Sequence, residues 1–144
     1  LTEFTSKTAE ETFQLGREIG AGLTGGEMIL LSGELGAGKT LFTKGILDAL
    51  GYDVDEVTSP SFTLVNLYRT DEFAVFHIDL WRIDARSDAA AAVGLPEILE
   101  DPKAVTIIEW SDRLPASDLR RRVIKVKIEG DGDDPRRIVI TQDK

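Results

Sequence analysis

The sequence predicts an α/β fold of three layers on a mixed sheet, parallel around a glycine-rich loop and antiparallel in its hairpins. Three observations carry this. An apolar run from Met28 to Leu31 leads through a glycine-rich segment at 33–38 into helix-forming residues from Lys39 to Leu50. A second apolar run, Ala104 to Ile108, reads as another buried strand. Two pairs of β-rich runs, Phe62 to Tyr68 with Phe73 to Leu80 and Ile124 to Ile128 with Ile138 to Ile140, are separated by turn-forming residues and read as hairpins.

The remaining elements follow in order. Thr8-Ala9-Glu10-Glu11 has the hydroxyl-to-carboxylate spacing of a capping box. Phe13, Leu15, Ile19 and Leu23 then recur at roughly helical spacing, and Gly25-Gly26 is expected to end that helix. Gly51 stands where a C-terminal cap glycine belongs. Residues 51–60 are acidic, end on Pro60 and read as a loop. Ala89 to Leu99 reads as a helix interrupted near Gly94-Leu95-Pro96. Ile124, Val126 and Ile128 alternate with Lys125, Lys127 and Glu129, the pattern of a half-exposed strand that turns at Gly130 to Pro135. No internal repeat is visible.

The chain of 144 residues, 42% of them apolar, is expected to form one domain spanning 1–144. Cysteine is absent, which excludes disulfides and thiolate metal sites. No apolar run approaches the roughly twenty residues a membrane helix needs, and no export signal is recognisable. A cytoplasmic location without membrane contact is expected. The net charge of −9 opposes gripping nucleic acid, which requires a basic surface. The short clusters Arg120-Arg121-Arg122 and Arg136-Arg137 read as exposed strand-edge charges.

Function enters with Gly33-Glu34-Leu35-Gly36-Ala37-Gly38-Lys39-Thr40, a full match to the phosphate-loop (Walker A) pattern between a strand and a helix. Glycines let backbone N–H groups converge on phosphate oxygens, and the helix N-terminus adds positive potential. Lys39 is expected to reach the β- and γ-phosphates of ATP, and the Thr40 hydroxyl to bind Mg²⁺. Val105-Thr106-Ile107-Ile108-Glu109 is an apolar strand ending in a carboxylate, the Walker B arrangement with Glu in place of the commoner Asp. Glu109 can hold Mg²⁺ beside Thr40. His77-Ile78-Asp79 ends another strand. Asp79 is a candidate to orient water or a metal-bound water at the γ-phosphate, or else a helix-cap or turn aspartate. His77, the only histidine, reads as a hydrogen-bonded structural residue sooner than as a catalytic one. Thr58-Ser59-Pro60-Ser61-Phe62-Thr63 stands where a γ-phosphate-sensing loop would stand, and equally suits a plain loop entering a strand.

Four segments in this order, G-E-L-G-A-G-K-T, T-S-P-S-F-T-L-V, H-I-D-L-W-R and I-I-E-W, resemble the bacterial TsaE family over roughly residues 8 to 115. The resemblance implies a Mg²⁺-dependent P-loop ATPase, slow alone and activated by partners. It further implies action with TsaB and TsaD in threonylcarbamoyl modification of the adenosine next to the anticodon of ANN-decoding tRNAs, with tRNA met only through the complex. It places phosphate binding on Gly33 to Thr40, metal on Thr40 and Glu109, and a functional carboxylate at Asp79. It sets Trp110 beside the nucleotide, and Ala9 and Glu10 near the base. Leu41 stands where relatives often carry a second Thr, and Ala89 to Val93 where acidic residues are usual. A small-molecule kinase is the alternative. It would want an arginine-rich lid, which residues 85–103 do not supply. A GTPase-like switch would want an N-K-x-D base-reading motif, which is absent.

Overall fold

The computed structural model describes residues 1–34, 36–60, 62–84, 86–115, 118–119 and 122–142. Thr2–Ser6 forms β1, Ala9–Ala21 α1, Met28–Gly33 β2 and Lys39–Ala49 α2. Val65–Arg69 forms β3, Ala74–Asp79 β4, Ala89–Val93 α3 and Leu95–Ile98 α4. Val105–Glu109 forms β5, Val123–Glu129 β6 and Arg136–Gln142 β7. The strands make one sheet in the order β1-β7-β6-β2-β5-β4-β3. β2 runs parallel to β5 and β6, and β4 parallel to β5. The β3–β4, β6–β7 and β1–β7 pairs are antiparallel. The expected mixed α/β sheet is present.

Side-chain alternation divides the core between the two faces. Ile29, Leu31, Val75, Val105 and Ile107 pack with Phe42, Ile46 and Leu47 of α2 and with Leu15 and Ile19 of α1. Met28, Leu30, Ile78 and Ile108 pack on the opposite face with Ala89 and Ala90 of α3 and Leu95 and Ile98 of α4. β5 is buried along its whole length, as a central parallel strand covered on both faces should be. β6 buries Ile124, Val126 and Ile128 and exposes Lys125 and Lys127, as its alternation predicts. Among the described residues no helix is long and apolar enough to cross a membrane.

Several details depart from the sequence reading. β1 is an additional strand; it joins the sheet through β7, with Thr2 opposite Ile140 and Ser6 opposite Arg136. β7 is therefore an interior strand, and Arg136 is not an edge charge. Arg137 does keep a surface role, pairing with Glu3 at 2.6 Å and with Glu129 at 3.3 Å. Arg122 donates to Thr24 Oγ1 at 2.6 Å and Glu27 Oε2 at 3.1 Å, while Arg120 and Arg121 lie outside the described residues. α1 ends at Ala21, capped by Gly22, four residues before Gly25-Gly26. Its capping box is shifted: Thr8 Oγ1 accepts from Glu11 N–H at 3.1 Å, and Glu11 accepts from Lys7 N–H rather than from Thr8. The strand expected from Phe62 starts only at Val65, because Leu64 adopts a φ of +67° and its N–H closes a turn onto Pro60.

The fully buried positions of α1 are Thr12, Gly16 and Gly20, a small-residue stripe at i, i+4, i+8. It lets α1 lie directly on α2, where Arg17 also pairs with Asp48. A Cβ on Gly45 would stand 2.1 Å from the carbonyl oxygen of Phe13, and one on Gly16 2.2 Å from that of Phe42. Both obstacles are backbone, so relief requires separating the helices. Gly45→Ala is therefore expected to lower unfolding free energy by about 2–3 kcal/mol despite improved helix propensity. Urea denaturation checks this; a change within about 0.5 kcal/mol contradicts the close packing.

Candidate functional site

β2 delivers the glycine-rich loop and α2 carries it away. Gly36 and Gly38 take φ of +83° and +109°, conformations that side chains rarely adopt. Gly38 caps α2 without a side-chain hydrogen bond, and the first turn of α2 carries no acidic residue. The first-turn amides of an α-helix have no intrahelical acceptor, so this terminus offers N–H groups and positive potential to an anion. Of the loop residues expected from sequence, Leu35 lies outside the described residues.

Facing the loop are the C-terminal ends of β4 and β5. Parallel pairing sets Asp79 beside Glu109 and Glu109 beside Leu31. Alternation turns His77, Asp79 and Glu109 to the same side as Val75 and Ile107, the face that α2 covers. Glu109 is 4% exposed and shared between two cations or donors. Its Oε1 lies 3.3 Å from Lys39 Nζ, and its Oε2 2.6 Å from His77 Nε2. An ionised carboxylate only accepts, so Nε2 carries the hydrogen. Burial opposes the charge on Glu109, but the His77 hydrogen bond and the Lys39 ammonium outweigh it and hold its pKa below the ordinary value. Asp79 moves the other way. Burial raises its pKa, the Trp81 N–H at 3.1 Å partly offsets this, and neighbouring Glu109 adds to the rise. His77 Nδ1, fully buried, has no hydrogen-bond partner among the described residues. His77 thus holds the Glu109 carboxylate from the neighbouring strand.

A cavity of about 770 Å³ lies between loop and strand ends, lined by Gly33, Glu34, Gly36, Gly38, Lys39 and Thr40 on one side and Asp79, Glu109 and Trp110 on the other. Ser59, Phe62, Trp81 and Arg82 complete its rim. A second cavity, of about 340 Å³, lies beyond the loop and shares Gly36, Gly38 and Leu41 with the first. Ala9, with Lys7 and Thr8, lines it, whereas Glu10 stands exposed in the first turn of α1 and does not. Among the described residues, no cluster of three or more His, Asp or Glu forms a ready metal cage.

The rim was only partly legible. The guanidinium of Arg82 stacks on Phe62 at 4.6 Å and Trp81 at 5.4 Å, and that of Arg113 on Trp110 at 5.5 Å. Phe62 is 84% exposed. Asn66 Nδ2 donates to Thr58 O and Oγ1, each at 3.2 Å, and the Tyr68 hydroxyl donates to Thr58 O and accepts from Thr58 N–H, each at 3.1 Å. β3 thereby anchors the start of the hydroxyl-rich loop, of which Ser61 lies outside the described residues. Trp110 and Leu64 are the only non-glycine residues with positive φ among those described; Trp110 directly follows Glu109 at the end of β5, and Leu64 directly precedes β3.

Asp79→Asn keeps an acceptor for Trp81 N–H and removes a negative charge beside Glu109. Because folding raises the Asp79 pKa, its ionised form opposes folding at neutral pH. The variant is expected to melt about 2–4 °C higher at pH 7, with the gain vanishing below the carboxylate range, where both states bind the proton. Scanning calorimetry of the nucleotide-free protein measures it; an unchanged or lower melting temperature at pH 7 refutes the buried like-charge contact.

Comparison with known proteins places the chain in a family. The family profile described as "Threonylcarbamoyl adenosine biosynthesis protein TsaE" matches residues 6–139. The protein of that name from Aquifex aeolicus is 38% identical over 120 residues, covering 83% of this chain and 84% of the relative. Those from Bacillus subtilis and Treponema pallidum are each 33% identical, over 92% and 94% of this chain and 80% and 96% of theirs. The crystal structure of Bacillus subtilis YdiB aligns with a TM-score of 0.72 at 28% identity, covering 98% of this chain and 84% of that one. The phosphate-loop α/β fold and the breadth of these matches agree, and the chain belongs to the TsaE family of threonylcarbamoyl adenosine biosynthesis proteins.

Proposed function

We propose that this chain is a Mg²⁺-dependent ATPase, a single domain spanning 1–144, that serves threonylcarbamoyl modification of the adenosine next to the anticodon of ANN-decoding tRNAs. In this reading it works in the cytoplasm, is slow alone and is activated by TsaB and TsaD. The observation that carries the reading is the buried Glu109 carboxylate, 3.3 Å from Lys39 across a cavity walled by the phosphate loop. Family membership supports the pathway, and the relatives' names give its product.

The donor set suits a nucleotide with a hard cation. Mg²⁺ takes oxygen ligands, is commonly held by one or two carboxylates plus phosphates, and needs no all-protein cage. Thr40 and Glu109 would hold it, and bound Mg–ATP supplies the transferable phosphoryl group. The loop amides and Lys39 bind and neutralise the phosphate chain. Ala9 and the smaller cavity receive the nucleoside, and Trp110 covers one side of the phosphate cavity. Asp79, at the strand end beside Glu109, holds and orients the attacking water, and its raised pKa suits it to accept a proton at Oδ.

Two features support activity that depends on partners. Lys39 is engaged by Glu109, so productive binding must redirect its ammonium. Arg82, which lines the cavity, is stacked on Phe62 and Trp81 and supplies no obvious charge to a transferring phosphoryl group. An absent arginine finger costs about 10³–10⁵ in rate. A docked partner either supplies that cation or re-aims Arg82. The net charge of −9 opposes direct tRNA binding, so contact with tRNA runs through the complex.

Phosphate release with this chain alone, with tRNA, and with TsaB plus TsaD tests the reading. Slow turnover that rises only with the two proteins is expected; fast turnover that they leave unchanged would falsify it. A phosphorylated small-molecule acceptor in place of free phosphate would establish the kinase alternative. Lys39→Ala is expected to cut turnover by about 10² or more with the fold intact. Thr40→Ala and Glu109→Gln are expected to shift the magnesium titration, Glu109→Gln sparing nucleotide binding more than turnover. Titrations matching wild type in both variants exclude them as metal ligands.

A further inference from the structure

Among the described residues, Arg136 has an unusual set of partners for a cation. Its Nε donates to Ala37 O at 2.9 Å and its Nη2 to Gly36 O at 3.3 Å, both in the phosphate loop. Its Nη1 donates to Asp134 O at 2.5 Å, and Nη2 also reaches Gly132 O at 3.0 Å, both in the β6–β7 turn. Among the described residues it forms no ion pair; its donors go to backbone carbonyls. The turn is shaped around it. A Cβ on Gly130, at φ +134°, would stand 2.8 Å from Arg136 Cδ.

We infer that Arg136 is a positioning residue for nucleotide binding, which it serves by fixing the peptide planes of the phosphate loop; the inference rests on the nucleotide-binding reading above. The physical basis is the planar trans peptide, in which C=O and the following N–H point in opposite directions. Binding the Ala37 carbonyl fixes the Gly38 N–H facing away from the guanidinium. Binding the Gly36 carbonyl fixes the Ala37 N–H, which donates to Glu34 O at 3.0 Å and closes the loop's turn. Gly36 and Gly38 sit at φ of +83° and +109°, and no Cβ restrains either plane. A glycine-rich loop free to rotate would have to be ordered when nucleotide binds; a loop already ordered avoids that cost. Packing supplies the counterpart beneath: Ala37 is fully buried, and a Cβ on Gly33 would meet Ile128 O at 2.6 Å. The forked guanidinium is better suited to this than an ammonium, because two of its nitrogens hold two successive carbonyls in fixed geometry.

Arg136 also joins the two cavities' walls. Asp133 and Asp134 of its turn line the smaller cavity together with Lys7, Thr8 and Ala9. The same guanidinium therefore sets the turn and the loop in register.

The test uses the full chain, Arg136→Met and Arg136→Lys, with Mg–ADP affinity measured by titration calorimetry and amide exchange measured without nucleotide. Arg136→Met is expected to weaken ADP binding about tenfold or more, and Arg136→Lys, which keeps the charge but loses the fork, about fivefold. Exchange should quicken within 33–40 while α1, β5 and β6 keep wild-type protection. ADP affinity within twofold of wild type in either folded variant overturns the inference and leaves the functional reading intact. Weakened binding with faster exchange across the whole sheet also overturns it, since Arg136 would then be a general structural residue. Should Arg136→Met not fold, Arg136→Lys alone decides between these outcomes. Wild-type chain that binds no ADP removes the functional reading, and this inference with it.

Discussion

Leu31 stands opposite Glu109 in the parallel ladder between β2 and β5, and Glu109 stands opposite Asp79 in the ladder between β5 and β4. The geometry of the candidate site hangs on this register. β2 ends in the glycine-rich loop, so a carboxylate at the matching end of β5 is delivered to the loop's mouth. Slipping β5 by one residue would turn Glu109 to the α3–α4 face and bring Ile108 towards Lys39. Apolar burial on both faces of β5 prevents that slip. Ile107 fills one core and Ile108 the other, and the slip would put the hydroxyl-bearing Thr106 where Ile107 packs.

Charge completes what register begins. Two carboxylates at adjacent strand ends, both nearly buried, repel each other and lose hydration. The protein treats them unequally. Glu109 receives His77 and Lys39 and stays ionised, while Asp79 has one backbone N–H and a raised pKa. Environments that push paired titratable groups apart assign them different chemical roles. His77 shows how this is achieved: with no solvent access, its ring cannot turn away from Glu109 without leaving Nε2 unsatisfied.

The sequence disclosed what is local. The phosphate-loop pattern, the apolar run into Glu109, the break at Gly94 and the alternation of β6 are each written within about ten residues, and each was legible for that reason. What it hid depends on distant partners. β1 is a five-residue strand at the sheet edge that pairs with β7, near the other end of the chain. Gly16 and Gly45 look like helix weaknesses until the helices are seen in contact. Arg136 and Arg137 are adjacent and identical in type, yet one secures the phosphate loop and the other lies on the surface with Glu3. Only the position of Ala37 and Gly36 across the fold separates them. The His77–Glu109 contact, 32 residues apart in sequence, was hidden in the same way.

On the proposed function, Glu109 and Thr40 would hold a metal ion at the phosphate site formed with the loop. The most direct measurement is anomalous diffraction from crystals grown with Mn²⁺ and a non-hydrolysable ATP analogue. The expected result is one manganese peak within coordinating distance of the Thr40 hydroxyl and close to Glu109, with the Lys39 ammonium moved from Glu109 to the phosphates. A nucleotide bound away from the loop, or a metal remote from both residues while Lys39 stays on Glu109, would contradict it.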